Sequence, residues 1–128
     1  MNLHTFTVTV PVGRDILFNY LSDPHNLPEW ATVFCKTLRR DGANIKIDTP
    51  MGERYFQIRA DAGTGVIDML SSPDGENWNT LPTRVIPLAD KHCAYSVCFA
   101  QGDLPDELFQ AQSASIKQEL DNIRQLFS

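Results

Sequence analysis

Nowhere in the 128-residue chain is there a run of about 18 apolar residues, so a helical membrane span is excluded. Met1-Asn2-Leu3-His4-Thr5 offers neither a basic segment nor an apolar one, so no secretory leader is expected. Basic residues are few: 11 Lys and Arg against 16 Asp and Glu give a net charge of −5. Phosphate-backbone binding needs clustered cations, and the one adjacent pair, Arg39-Arg40, leads into Asp41-Gly42 and reads as the end of a hairpin. Three cysteines, with no Cys-x-x-Cys, make neither a disulfide framework nor a zinc ribbon, and a reducing, cytoplasmic setting is expected. Cys93 and Cys98 fall on one predicted strand at a spacing that sends their side chains to opposite faces. His4, His25 and His92 are isolated, so no metal site is expected. No Gly-x-Ser-x-Gly is present, Gly63-Thr64-Gly65 reads as a turn and not a phosphate cradle, and no cofactor is expected.

What is present is a regular order of short patterns. In Leu3–Val10, His4, Phe6, Val8 and Val10 share one face and threonines occupy the other, which predicts a half-buried strand. After Pro11, Ile16, Leu17, Tyr20 and Leu21 recur at helical spacing as far as Ser22. Asp23-Pro24 is a cap followed by the proline favoured at a first helical position, so a second short helix is expected, ending at Pro28. Alternating segments at 33–39, 44–49, 54–62, 65–71, 79–88 and 92–100 predict six more strands, separated by turn residues such as Asp41-Gly42 and Pro73-Asp74-Gly75. From Asp103, taken as a cap, the chain reads as helix to its end. Leu104, Leu108, Ala111, Ser115, Ile116, Leu120, Ile123 and Phe127 form its expected apolar stripe.

One antiparallel sheet of about seven strands with a single long helix has few compact solutions. The helix is the one element long enough to cover the sheet's apolar face, so the sheet is expected to curve around it. A bent sheet cannot touch a straight helix along its whole length, and the remaining gap, near the two short helices, is the expected binding site.

At this point the residues resemble the START-like or Bet v 1-like (SRPBCC) superfamily, and within it small bacterial polyketide cyclase/dehydrase-like and lipid-transport-like proteins. The carriers are Val10-Pro11-Val12 leading into Ile16-Leu17-Phe18-Asn19-Tyr20-Leu21-Ser22-Asp23-Pro24, then Leu27-Pro28-Glu29-Trp30 and Gly65-Val66-Ile67-Asp68. Pro82-Thr83-Arg84-Val85-Ile86-Pro87-Leu88, Asp106-Glu107-Leu108-Phe109 and Glu119-Leu120 complete them. The resemblance covers essentially the whole chain and implies one helix-grip α+β domain over residues 1–128. It is specific for fold and not for function, since the superfamily includes lipid carriers, hormone receptors, cyclases, hydroxylase domains and chaperone activators.

Candidate site residues follow from chemistry. Asp68 and Arg84 lie among apolar neighbours on successive predicted strands; they bind a polar head or do acid–base work, or else form a cross-strand ion pair on the outer face. If the protein is an enzyme, Tyr55 joins them as a catalytic candidate. Trp30, Tyr55, Trp78 and Tyr95 line the gap or belong to plain core. Phe109 and Gln112 on the long helix are placed facing the gap, although exposure explains Gln112 as well. His4 reads as a satisfied core histidine. The leading expectation is binding of a small hydrophobic molecule such as a lipid, polyketide or aromatic metabolite. A cyclase or dehydratase comes second and a chaperone-activator-like interaction module third. A homodimer is among the partners the sequence allows.

Overall fold

The computed structural model describes residues Met1–Ser128. Seven strands form one antiparallel sheet: β1 Leu3–Val10, β2 Thr37–Asp41, β3 Asn44–Thr49, β4 Gly52–Asp61, β5 Val66–Ser72, β6 Asn79–Ala89 and β7 His92–Ala100. Their spatial order is β1-β7-β6-β5-β4-β3-β2. Strands β2 to β7 therefore follow one another as hairpins, while β1 pairs with the last strand and leaves β1 and β2 as the two edges. Two helices, α1 Arg14–Ser22 and α2 Leu27–Trp30, carry the chain from one edge to the other, and α3 Asp106–Leu126 follows β7. This is the α+β helix-grip arrangement expected from the sequence.

Register fixes which side chains face inward. His4, Phe6, Val8 and Val10 stand opposite Phe99, Val97, Tyr95 and Cys93; across β6 the inner row continues through Thr83 and Val85. Ile67 and Met69 carry it onto β5, Phe56 and Ile58 onto β4, and Ile45 and Ile47 onto β3. These inner positions and the buried residues of the helices make one apolar core, with Leu17, Leu21, Leu27, Trp30, Leu120 and Ile123 supplied from outside the sheet. The outer face carries charge: Arg39 pairs with Asp48 and Glu53, and Lys46 with Asp41 and Glu53. Cys93 and Cys98 do face opposite ways, and all three cysteines are free.

Beyond shifts of one or two residues at the ends of β4, β5 and β6, four features differ from the sequence reading, each for a physical reason. Residues 33–36 do not extend β2, because the amide groups of Val33 and Phe34 are taken by the Glu119 side chain and that of Cys35 by the Ala31 carbonyl. Asp23 does cap, accepting from the His25 amide (3.0 Å), but what it starts is a 3-10 turn, Pro24–Asn26. Pro28 does not end the following helix; it sits in the first turn of α2, where its missing N–H costs nothing. Asp103 does not cap α3. The position before its first turn is Pro105, and the negative charges of Asp106 and Glu107 meet the helix dipole instead.

The buried face of α3 is also turned from the expected stripe. Phe109, Ser113, Glu119, Leu120 and Ile123 are buried, whereas Leu108 is half-buried and Ala111 exposed. A serine tolerates burial here because its hydroxyl is paired with His4 Nδ1 at 2.9 Å, which also satisfies the histidine. At the other side of the helix Gln112 Nε2 donates to Met51 Sδ (3.2 Å) at the β3–β4 tip. Contacts from both ends of the sheet to neighbouring turns of α3 are the grip itself.

Candidate ligand-binding site

Where the 3-10 turn crosses the open end of the sheet, the helix and strands part. The hollow there, about 260 Å³, is walled by Ser22 and Pro24 above, by Ile45, Phe56 and Ile58 from the inner faces of β3 and β4, and by Trp78 from the β5–β6 loop. That loop is held in shape by Asp74, whose carboxylate accepts from the Glu76 and Asn77 amides at 2.8 Å each and from Asn77 Nδ2 at 2.7 Å. These bonds hold the carboxyl well below the usual carboxylate range. A volume of 260 Å³ is just under the usual 300–1,000 Å³ of a small-molecule pocket, so a larger guest requires the walls to move. A second crevice, about 450 Å³, runs between β1 and α3 past His4, Phe6, Ser113 and Lys117. It is wider open, and mixes Leu3, Phe6 and Ala114 with polar side chains.

Behind the hollow lies a buried polar pair. Glu119, on α3, is 4% exposed; its Oε2 accepts from the backbone amides of Val33 (3.2 Å) and Phe34 (3.0 Å). Burial outweighs these bonds and raises its pKa to about 7. Tyr95, on β7, is wholly buried, and its hydroxyl, with Thr83 and Glu119 as polar neighbours, makes no hydrogen bond. Thr83 Oγ1 donates to the Ile67 carbonyl at 2.5 Å. Phe34 joins the two regions: its ring meets Phe56 of the hollow edge-on at 6.2 Å, and its amide is one of the two held by Glu119. Asn122, one turn along α3, ties down the same stretch by donating to the Trp30 carbonyl (3.0 Å) and to Thr32 Oγ1 (3.1 Å).

The sequence-predicted residues divide into three groups. Trp78 walls the hollow, and Trp30 and Tyr95 meet edge-on at 6.3 Å beside the polar pair. Phe109 is buried, but farther along α3, packed on His4 (4.5 Å) and Phe99 (5.2 Å). Gln112 is spent on Met51. Tyr55 also lines the hollow, with its ring by Lys46 Nζ (5.0 Å). Asp68 and Arg84 are corrected: strand register turns both to the outer face, opposite to Ile67 and Val85. The register sets Pro82 opposite Asp68, and Arg84 Nε donates to the Thr64 carbonyl (3.0 Å), so the expected ion pair does not form. Glu119 was missed as a site residue, although its position was computable. It stands three after Ile116 and four before Ile123, on the face that the helical period buries.

No family model and no curated protein matches the sequence. Solved structures do match the fold along nearly its full length. A START superfamily protein from Mycobacterium smegmatis is 12% identical, with a TM-score of 0.67 over 98% of this chain and 99% of that one. The di-domain ARO/CYC protein BexL from the BE-7585A biosynthetic pathway is 15% identical, with a TM-score of 0.71 over 98% of this chain and 46% of its own. The Aha1 dimer from Colwellia psychrerythraea is 9% identical, with a TM-score of 0.65 over 97% of each chain. The fold is therefore START-like, shared by proteins as different as an ARO/CYC protein and an Aha1 dimer.

Proposed function

We propose that the protein binds a small, largely apolar molecule between its sheet and α3, admitted through the hollow beneath the 3-10 turn. The observation that carries this reading is the hollow's floor: two half-buried inner-face hydrophobes, Ile45 and Ile58, beside the buried Phe56, all rimmed by an indole. Apolar area removed from water there contributes roughly 25 cal/mol per Å². START-like neighbours support the reading, lipids, polyketides and aromatic metabolites being the classes in view. Trp78 reports on the site directly. Titration with naphthalene should change tryptophan emission with saturation in the wild type, and Ile58→Asp should remove the response. A response without saturation, or one untouched by Ile58→Asp, overturns the proposal.

A second reading, a cyclase or dehydratase, is favoured by Glu119, since a carboxyl poised near neutrality inside an apolar site is what acid–base catalysis requires. The unpaired cysteines suit a reducing, cytoplasmic setting, which belongs to the same proposal.

A homodimer is supported by β1. It is an edge strand of eight residues, Leu-His-Thr-Phe-Thr-Val-Thr-Val, with no charge and no proline, so it lacks the devices that discourage edge pairing. The other edge, β2, is shorter and carries Arg39, Arg40 and Asp41. Two copies of β1 paired antiparallel about a two-fold axis bring no like charges together. Light scattering after gel filtration should give twice the chain mass for the wild type and the monomer for Thr7→Lys; a monomeric wild type at high concentration ends this part of the proposal.

A further inference from the structure

We infer that the molecule taken up carries one uncharged oxygen group, a ketone or an alcohol, and that Tyr95 and Glu119 receive that group at the inner end of the site. The inference rests on the binding reading above and names its ligand class. Its starting point is the Tyr95 hydroxyl, fully enclosed and without a hydrogen-bond partner. An unpaired hydroxyl in a core is a cost that phenylalanine, of nearly the same shape, would not incur. Its two polar neighbours do not remove that cost: the Thr83 hydroxyl gives its proton to the Ile67 carbonyl and makes no hydrogen bond to the phenol, and Glu119 accepts its two backbone amides through Oε2. Both backbone donors reach the same oxygen, which leaves Oε1 for another partner. A phenolic O–H without an acceptor and a carboxyl oxygen without a hydrogen bond thus belong to one core, a donor and a group that donates or accepts according to its protonation.

Charge selects among possible heads. The buried set contains no Lys, Arg or His, and Glu119 is its only ionisable carboxyl, so a carboxylate or phosphate head finds repulsion and no counter-ion. An ammonium head would have to shed its water in a core whose one carboxyl, Glu119, holds its proton up to about pH 7. A ketone or alcohol needs only the hydrogen bond that Tyr95 lacks. The way in runs past Phe34, whose ring packs on Phe56 of the hollow's wall and whose amide is held by Glu119, so a guest that reaches the pair displaces Phe34.

Four probes built on one bicyclic ring separate the alternatives: naphthalene, 2-acetonaphthone, 2-naphthol and 2-naphthoate, each titrated calorimetrically at pH 7. The ketone and the alcohol should bind about tenfold more tightly than naphthalene, the worth of one buried hydrogen bond, and the carboxylate more weakly than naphthalene. Tyr95→Phe should erase the tenfold advantage and leave naphthalene unchanged, with circular dichroism verifying the fold. Glu119→Gln should keep the ketone bound and bring 2-naphthoate up to at least the affinity of naphthalene. If all four bind alike, or the advantage survives in Tyr95→Phe, the ligand class is wrong while the apolar site stands. If none binds to the wild type, both fall.

Discussion

A single carboxyl sets the sign of the protein's response to pH near neutrality. Burial raises Glu119 from its ordinary 4.5 to about 7, so between those values the folded chain holds a proton that the unfolded chain releases. Stability must then fall as pH rises through that window and level off above it, a loss of about 3 kcal/mol at 1.36 kcal/mol per unit. Asp74 works in the opposite sense. Its carboxyl is lowered by the bonds it accepts, so its contribution is present above the unfolded value and is lost as pH falls through the acid range. Denaturant titrations at pH 5 and pH 8 should show the wild type less stable at pH 8, and Glu119→Gln should flatten that difference; an equal slope in both proteins removes Glu119 as its source. Gly65 is the other residue with no substitute. Its φ is +81°, and an added Cβ would stand 2.3 Å from the Val85 carbonyl oxygen, to which the β4–β5 turn is pressed. Gly65→Ala should cost at least about 2 kcal/mol in the same titration, whereas Gly42→Ala, with open space around it, should cost only its backbone strain. Turn glycines of this kind are legible in a sequence as turns. The close approach that makes Gly65 the stricter of the two is not, because it depends on a strand twenty residues away.

At the scale of elements, the stretch between α2 and β2 is held by side chains of α3 more than by its own pattern. Val33, Phe34 and Cys35 alternate well enough to predict strand, and that expectation failed because a carboxylate on a distant helix captured two of their amides. Local pattern cannot show such a capture. The strands at 44–49 and 92–100 were legible to the residue because their own alternation and turn chemistry suffice. The face of α3 was half legible: Leu120 and Ile123 announce it, but Leu108 outcompetes Phe109 on paper, and a buried serine becomes acceptable only once His4 is seen opposite. The same dependence makes a prediction. Asn122→Ala removes two bonds to the Trp30–Thr32 backbone and side chain, costing about 1–2 kcal/mol. Amide exchange should accelerate at residues 31–36 by tenfold or more while the β6–β7 pairing keeps its protection; uniform acceleration would mean that the stretch does not open as a separate unit.

For the molecule as a whole, the grip stores a trade between its own stability and room for a guest. Phe34 stands between the hollow and the polar pair, its ring on Phe56 and its amide on Glu119. The hollow's existence follows from the strand and helix order read in the sequence, but which side chain fills its inner end depends on the 31–36 stretch and was not legible. Truncating Phe34 to alanine should destabilise the empty protein by about 1–3 kcal/mol, less than a full core phenylalanine because the ring is only half-buried. A guest seated there restores the lost contacts, so the bound variant should lose less than the empty one. Ligand binding raises stability by RT ln(1 + [L]/Kd), and a guest spared the work of displacing Phe34 binds with the lower Kd. The melting temperature of Phe34→Ala should therefore start lower than that of the wild type and rise further on saturation with 2-acetonaphthone. An equal rise in the two proteins would place the guest wholly within the outer hollow, with Phe34 left where it is.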